Sequence, residues 1–288
     1  MLYAYAFIKI IHFQNSRKEK EMEIFLYIII FIMGTLFGSF YTLAIYRIPN
    51  KLDITHTHSF CPNCKHKLGF FELIPVWSYI FLGGKCKECK QKIRPRYLII
   101  ELLSGVFFVL IAIASKINFY NLQPQKLIEL GFMVLYLSAI AIIAGIDKEK
   151  REIEKSVLYY ALGILITYII YLCIIDKPSI YRYVMYLSTL VILLIADTIK
   201  LKSKAKTSYV ISILILLVIM AVFTGEVTTI LTIIMTLLII AIYILISKIK
   251  NITNKVKKEE KDLTNNLTLG FYLCISNIIM LTYVMFTL

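Results

Sequence analysis

Eight long apolar runs constrain this chain more than any other feature of its sequence. Each has roughly the 17 or more residues, with few charges, that an α-helix needs to cross the hydrocarbon core of a bilayer. A soluble fold would have to bury all eight without amphipathic helices to cover them, in a chain that is 59% hydrophobic. The sequence therefore predicts an all-α, polytopic transmembrane helix bundle of about eight spans. The runs lie at 24–46, 98–115, 127–146, 157–175, 180–199, 208–224, 227–247 and 267–287.

Lysine and arginine residues set the expected orientation. Of the 32 basic residues, 24 fall in four connecting segments, and alternation of the spans places all four on one side. Because basic connections stay inside the cell, this side is predicted to be cytoplasmic. Topology and attraction to anionic lipid explain the net charge of +14, so no nucleic-acid partner is expected. The four segments are 47–96, 148–155, 200–206 and 248–261.

The first 21 residues fit this topology poorly. Residues 1–13 are apolar but too short to span a bilayer, and the basic residues that follow them would fall on the outer face. We expect residues 1–21 to be either a non-native extension ahead of a true start at Met22 or an interfacial amphipathic segment.

Two CxxC pairs lie in the first basic segment. Two such pairs supply four soft thiolate ligands, which predicts a structural zinc site with a closed coordination shell. The alternatives are two disulfides or four unrelated thiols, but the reducing cytoplasmic side favours thiolates. The nearby His56, His58 and His66 are expected to be surface residues, since the cysteines already complete the shell. The four cysteines are Cys61, Cys64, Cys86 and Cys89.

An aromatic stretch separates the two CxxC pairs and contains Trp77, the only tryptophan of the chain. It is too short and too interrupted to span, so it is expected to lie along the membrane surface. Beyond the second pair, Glu101 is expected to pair with nearby arginines.

Two aspartates, Asp147 and Asp197, end spans on the basic side and are therefore expected at similar depth. An acid at membrane depth is a candidate functional residue. The structural alternative is that each aspartate forms an ion pair with a neighbouring lysine, Lys148 or Lys200.

A series of motifs follows in order through the N-terminal half: GSFYTLAIYRIP, CPNC, ELIPVWSYIFLGGKC, KCKEC and RPRYLIIELLSG. From about Leu36 to Gly105 the chain resembles type IV prepilin leader peptidases, a family of membrane aspartic peptidases. The resemblance implies an endopeptidase that cleaves the basic leader from type IV prepilins or pseudopilin-like substrates at the cytoplasmic face of the cell membrane. It also implies that Asp147 and Asp197 are the catalytic pair.

Many members of this family also methylate the new N-terminus, so the resemblance implies S-adenosylmethionine as a cofactor beside zinc. At two places relevant to methylation this chain differs: Thr42 stands where the family has Asn, and Glu72-Leu73-Ile74-Pro75 stands where it has Asp-Asn-Ile-Pro.

The second half resembles the family less. Ala144-Gly145-Ile146-Asp147 fits the context of the first catalytic aspartate, but the Ile-Pro-Asp that follows it in the family is absent. The family's second aspartate lies in Gly-x-Gly-Asp, whereas here Asp197 follows Ile195 and Ala196. Without those glycines the helix can continue past Asp197.

Three functions therefore remain open. The first is a divergent but working prepilin peptidase. The second is a catalytically degenerate homologue that acts as a membrane binding or assembly protein. The third is an unrelated zinc-bearing transporter or scaffold, which would need polar residues or helix breaks in mid-span.

The expected organisation has four parts. Residues 1–21 are the extension, and residues 22–115 form an N-terminal prepilin-peptidase domain whose cytoplasmic zinc loop covers about 50–97. Residues 127–247 form a membrane aspartic peptidase-like domain, and 248–288 are a cytoplasmic linker and the last span.

Overall fold

The computed structural model describes residues 2–115, 123–175, 180–200, 205–253 and 268–287. Within these ranges the regular structure is helical, and the only strand-like features are two isolated β-bridges. The predicted all-α fold is confirmed. The helices are α1 (Leu2–Arg47), α2 (Trp77–Phe81), α3 (Arg96–Ala114), α4 (Pro124–Lys150), α5 (Lys155–Ile175), α6 (Ile180–Lys200), α7 (Ala205–Thr224), α8 (Glu226–Thr253) and α9 (Leu269–Thr287), with a 3-10 turn at Phe70–Glu72.

Seven helices of the described chain are long and apolar enough to cross a membrane, where about eight spans were predicted. The eighth run lies in α7, where the apolar stretch Ser208–Thr224 is shorter than the seven candidate spans. In α1 the candidate span is Lys20–Arg47, and the residues before it continue the same helix. The chain is thus a multi-pass membrane protein.

The chain divides into two compact units. Unit 1 consists of Met1–Phe40 and His56–Leu130, and unit 2 consists of Tyr41–Thr55 and Gly131–Leu288. The four cysteines belong to unit 1, and both candidate catalytic aspartates belong to unit 2.

Unit 1 depends on a close contact between α1 and α3. Gly34 and Gly38 are four residues apart and lie on one face of α1, as in the small-residue motifs that let membrane helices approach closely. A Cβ added at Gly38 would lie 2.7 Å from the Cα of Glu101, and one added at Gly34 would lie 2.7 Å from the carbonyl oxygen of Ser104. Since backbone atoms cannot move aside as side chains do, both positions require glycine.

Unit 2 has an aromatic and polar centre. Phe223 of α7 stacks between Tyr136 of α4 and Tyr168 of α5, with ring centroids 4.5 Å and 4.7 Å away. The Tyr136 hydroxyl donates to Asn277 of α9 at 2.6 Å, and the Asn277 amide donates to the Thr232 hydroxyl of α8 at 3.2 Å. Such bonds satisfy polar groups where no water is available, and they join three helices of this unit, α4, α8 and α9.

The glycine contact can be tested with a matched pair of substitutions. Gly38→Ala is expected to destabilise the protein by about 1–3 kcal/mol, because the added methyl group overlaps backbone atoms of α3. Gly131→Ala in α4 is the control, since nothing lies within 4 Å of a Cβ at that position. Thermal unfolding in detergent measures both variants. Equal melting temperatures for the two would contradict the proposed contact.

Candidate functional site

The four cysteines lie in two turns with the same backbone conformation, which we call the Cys turns (residues 60–67 and 85–92). Each turn is closed by one antiparallel bridge, Phe60 with Lys67 and Lys85 with Lys92. The residue after the second cysteine has a positive φ in both turns, 61° at Lys65 and 57° at Lys90. The turns are thus two copies of one ligand-presenting element.

The sulfur atoms of the two turns converge. Cys61 and Cys89 have their Sγ atoms 3.9 Å apart, as do Cys64 and Cys86, and all four lie within 4.8 Å of one another. A tetrahedral zinc ion with Zn–S bonds of about 2.3 Å places its ligands about 3.8 Å apart. All four thiols are free, so the disulfide alternative is not what the structure shows. The cluster can hold a metal ion and is consistent with zinc.

The polar surroundings of the cluster differ between its thiols. The Asn63 amide donates a hydrogen bond to Cys89 and, with a backbone N–H, lowers the pKa of that thiol to about 6. At Cys64 a backbone N–H favours the thiolate, but desolvation and the neighbouring sulfur atoms raise its pKa to about 11. Four thiolates this close repel one another, so a bound dication would stabilise the ionised set.

The histidines near the Cys turns lie outside the cluster. In the described residues the group that could ligate a metal consists of the four cysteines alone. His56 and His58 are exposed, and Nε2 of His66 lies 3.1 Å from the Glu72 carboxylate. That carboxylate also accepts the Gly69 backbone N–H at 2.8 Å, and these two partners lower the Glu72 pKa.

Glu101 has described partners that the sequence did not predict. Its Oε2 accepts the backbone N–H of Val76 at 2.8 Å, and its described partners also include the side chain of Ser39. Val76 has φ = 65°, a conformation that is rare for a β-branched residue. Glu101 therefore ties the loop between the Cys turns to α3, a contact that sequence spacing could not have revealed.

Asp147 lies in the last turn of α4 and is completely buried (0% exposed). Its Oδ1 accepts the Tyr209 hydroxyl at 3.0 Å, and its Oδ2 accepts the Phe271 backbone N–H at 2.8 Å. Phe271 is the third residue of α9, so Asp147 caps the N-terminus of that helix. Lys148, the ion-pair partner in the structural alternative, places its ammonium group 4.5 Å from the centroid of the Phe271 ring.

Asp197 lies in the last turn of α6 and is 9% exposed. Its Oδ2 forms an ion pair with Nζ of Lys155 at 2.7 Å, and its Oδ1 accepts the Ser208 hydroxyl at 3.0 Å. As the missing glycines suggested, α6 continues past Asp197 as far as Lys200. The cation that pairs with Asp197 in the described chain is Lys155, the first residue of α5.

The two carboxylates are linked through one helix. Ser208, which binds Asp197, and Tyr209, which binds Asp147, are consecutive residues in the first turns of α7. Sequence reasoning missed both residues, and it missed Lys155 as well. The only signal was a pair of hydroxyl residues that opens an apolar run. Of the remaining aspartates, Asp53 accepts the backbone N–H of Thr55 in its own loop. Asp176 and Asp262 lie outside the described residues.

Comparison with known proteins finds a domain and relatives similar to part of this chain. The family model described as the bacterial peptidase A24 N-terminal domain matches residues 32–115. The chain is 33% identical over 128 residues to the prepilin leader peptidase/N-methyltransferase of Klebsiella pneumoniae, covering 42% of this chain and 52% of that protein. It is 35% identical over 137 residues to the protein of the same name from Bacillus subtilis (strain 168), covering 48% and 52%.

Residues 32–115 are thus similar to the N-terminal domain of bacterial A24 peptidases, and the relatives above are prepilin leader peptidase/N-methyltransferases. The corresponding protein of Vibrio cholerae is 38% identical over 87 residues, which cover 27% of this chain and 34% of that protein. The chain thus spans at most about half the length of these curated relatives. No solved structure is significantly similar to it.

At two positions where the chain differs from the prepilin peptidase pattern, the side chain is either buried or held by hydrogen bonds. Thr42 is buried in unit 2 with 4% exposure. The Glu72 carboxylate is held by Gly69 and His66, as described above, and belongs to unit 1.

Metal content tests the Cys turns. The purified full-length protein is expected to carry one equivalent of zinc, and Cys86→Ser is expected to lose it, since three thiolates leave the coordination shell open. Cys173→Ser is the matched control, because Cys173 is a lone thiol within α5. Elemental analysis after dialysis gives the stoichiometry. Equal zinc in wild type and Cys86→Ser would contradict the four-cysteine site.

Proposed function

We propose that this protein is a membrane aspartic endopeptidase that removes the basic leader from type IV prepilin-like substrates at the cytoplasmic membrane face. The observation that carries the proposal is that consecutive residues of α7 bind the Asp147 and Asp197 carboxylates, each in the last turn of its own helix. The names of the relatives supply the substrate class.

The surroundings of the two carboxylates suit different parts in hydrolysis. Lys155 is a counter-ion for ionised Asp197, which then takes a proton from the attacking water. The hydrogen-bond partners of Asp147 are neutral, a phenol and a backbone amide, so this residue is suited to carry the proton that polarises the scissile carbonyl oxygen.

The proposed reaction balances with these two groups. Water attacks the carbonyl carbon while Asp197 accepts a water proton and Asp147 protonates the carbonyl oxygen. The C–N bond then breaks as the leaving nitrogen takes the proton held by Asp197, and the proton on the former carbonyl oxygen returns to Asp147. The products are a free amine on the mature pilin and a carboxyl group on the leader.

The basic connections support the orientation within this proposal. The ends of α4 and α6 that carry the aspartates lead into the basic segments 148–155 and 200–206. The Cys turns lie in another basic segment, 47–96, so both sites are assigned to the cytoplasmic side. Zinc is the metal proposed for the Cys turns, because four thiolates supply a complete tetrahedral shell.

Methyl transfer is the second activity in the relatives' names. In this chain Thr42 and Glu72 replace the Asn and Asp of the family. No described residue is proposed to bind S-adenosylmethionine. The mass of the mature N-terminus in the cleavage assay reports methylation directly.

A second function is favoured by the same contacts. Asp147 caps α9, and Asp197 forms an ion pair with Lys155, so each carboxylate also has a structural role. A catalytically degenerate homologue that binds or assembles pilin-like proteins would keep these contacts without hydrolysis.

A cleavage assay with a co-expressed prepilin separates the two functions. Wild type is expected to cleave, and Asp147→Asn and Asp197→Asn are each expected to lose at least about a thousandfold in rate, because neither amide can exchange the required proton. Glu152→Gln is the control, since this exposed acid lies between α4 and α5 near the same end of the unit.

Full cleavage by both aspartate variants would contradict the assignment of the site. Binding of the prepilin by wild type without any cleavage would support the assembly function instead.

A further inference from the structure

The loop between the Cys turns presents an unusual apolar surface, which we call the aromatic segment (residues 70–81). Phe70, Phe71 and Phe81 are 77%, 80% and 79% exposed, and Trp77 is 59% exposed. Leaving one such side chain in water instead of burying it costs about 1.5–3 kcal/mol. Four together form a patch that marks an interaction surface.

The depth of this segment is set by a hydrogen bond to a membrane span. The Val76 backbone N–H donates to Glu101 of α3 at 2.8 Å. Glu101 lies five residues inside the start of α3 at Arg96, which is about 7.5 Å along the helix axis at about 1.5 Å per residue. The aromatic segment is therefore tied at Val76 to the second turn of α3, a candidate membrane span.

The charges around the aromatic segment also favour contact with a membrane surface. Six lysines of the two Cys turns are exposed, whereas residues 60–92 contain two acids, Glu72 and Glu88. Aromatic side chains flanked by lysines are typical of surfaces that lie in the membrane interface. Each basic residue near an anionic leaflet adds about 1 kcal/mol of attraction. The lysines are Lys65, Lys67, Lys85, Lys87, Lys90 and Lys92.

We infer that the aromatic segment inserts into the headgroup–acyl boundary of the bilayer and holds the Cys turns against the lipid surface. Phe70, Phe71, Trp77 and Phe81 enter the interface, and the lysines of the Cys turns contact anionic headgroups. This role is independent of peptidase activity.

The single tryptophan gives a direct test, because all intrinsic tryptophan fluorescence comes from Trp77. The full-length protein is placed in vesicles of phosphatidylcholine and phosphatidylglycerol that contain brominated phosphatidylcholine. Quenching is expected to be stronger with bromine near the headgroup end of the acyl chain than near its terminal methyl. Aqueous iodide is expected to quench Trp77 weakly.

Two further arms sharpen this test. Phe71→Ser/Phe81→Ser is expected to weaken quenching by the lipid and strengthen quenching by iodide, while the zinc content, which reports an intact loop, stays unchanged. Replacing phosphatidylglycerol by phosphatidylcholine is expected to act in the same direction. Strong quenching by iodide with none by brominated lipid would overturn the inference and leave a protein partner as the occupant of this surface.

A second inference rests on the proposed function and concerns Tyr209. Its hydroxyl donates to Asp147 and accepts the Gly270 backbone N–H at 3.1 Å. A phenol hydroxyl can donate or accept, so its bond to Asp147 can be kept whether that carboxyl group is ionised or protonated. We propose that Tyr209 is a positioning residue that holds Asp147 in one orientation while its proton leaves and returns.

A matched pair of tyrosines tests this role. Tyr209→Phe is expected to lower kcat about tenfold to a hundredfold with little change in KM, because an orientation of the reacting group is lost. Tyr186→Phe is the control. Tyr186 also donates to a carboxylate, that of Glu226 at 2.6 Å, but it lies near the start of α6, at the other end of that helix from Asp197. Similar melting temperatures for the two variants exclude a general loss of folding.

A readout that needs no activity completes the test. The infrared carboxyl C=O band that disappears in Asp147→Asn is expected to shift in Tyr209→Phe but not in Tyr186→Phe. An unshifted band, or full kcat in Tyr209→Phe beside an active wild type, would overturn the positioning role. A shifted band in a protein whose wild type does not cleave would keep the contact and reject the proposed function.

Discussion

A carboxylate without solvent exposure at the end of a membrane helix must find hydrogen-bond donors within the protein, and the arrangement of unit 2 depends on how Asp147 finds them. The donors come from two other helices, a hydroxyl from the first turns of α7 and a backbone N–H from the first turn of α9. Gly270 allows this approach, since a Cβ there would lie 3.1 Å from Oδ2 of Asp147. One side chain thus joins the ends of three helices.

The contacts of the two aspartates can stabilise the fold and can also orient the carboxyl groups for catalysis. A helix N-terminus stabilises a carboxylate through its unpaired N–H groups and its dipole, and a lysine does so through its charge. The same bonds restrict the orientation of each carboxyl group, which is what catalysis by positioned groups requires. A working peptidase and a degenerate relative would therefore share the burial and the partners of these two carboxyl groups. Cleavage of a prepilin distinguishes the two.

Unit 1 combines close packing, a four-cysteine cluster that can hold a metal ion and the exposed aromatic segment. The glycines of α1 bring α3 near, and Glu101 lies at this contact and binds the backbone of the loop. The loop is too short to build a hydrophobic core of its own, and its largest aromatic side chains are exposed. Its order is instead supplied by the bond to Glu101 and by the two Cys turns, whose four sulfur atoms converge.

Much of this protein could be predicted from sequence because the relevant signals are local. Apolar runs give the spans, basic connections give the expected orientation, and CxxC spacing gives the four sulfur ligands, since each pattern lies within one helix or turn. The last-turn positions of Asp147 and Asp197 follow in the same way. The run at 208–224 also forms a helix, but its apolar stretch is shorter than the seven candidate spans.

Only the tertiary structure decided which groups these residues meet. Lys155 is the described counter-ion of Asp197, Tyr209 and Phe271 donate to Asp147, and the Val76 backbone donates to Glu101. These partners are between 25 and 124 residues apart in the chain. Hydropathy and spacing determine where helices begin and end, but helix packing determines which of their polar ends come together, because it depends on contacts that no local pattern records.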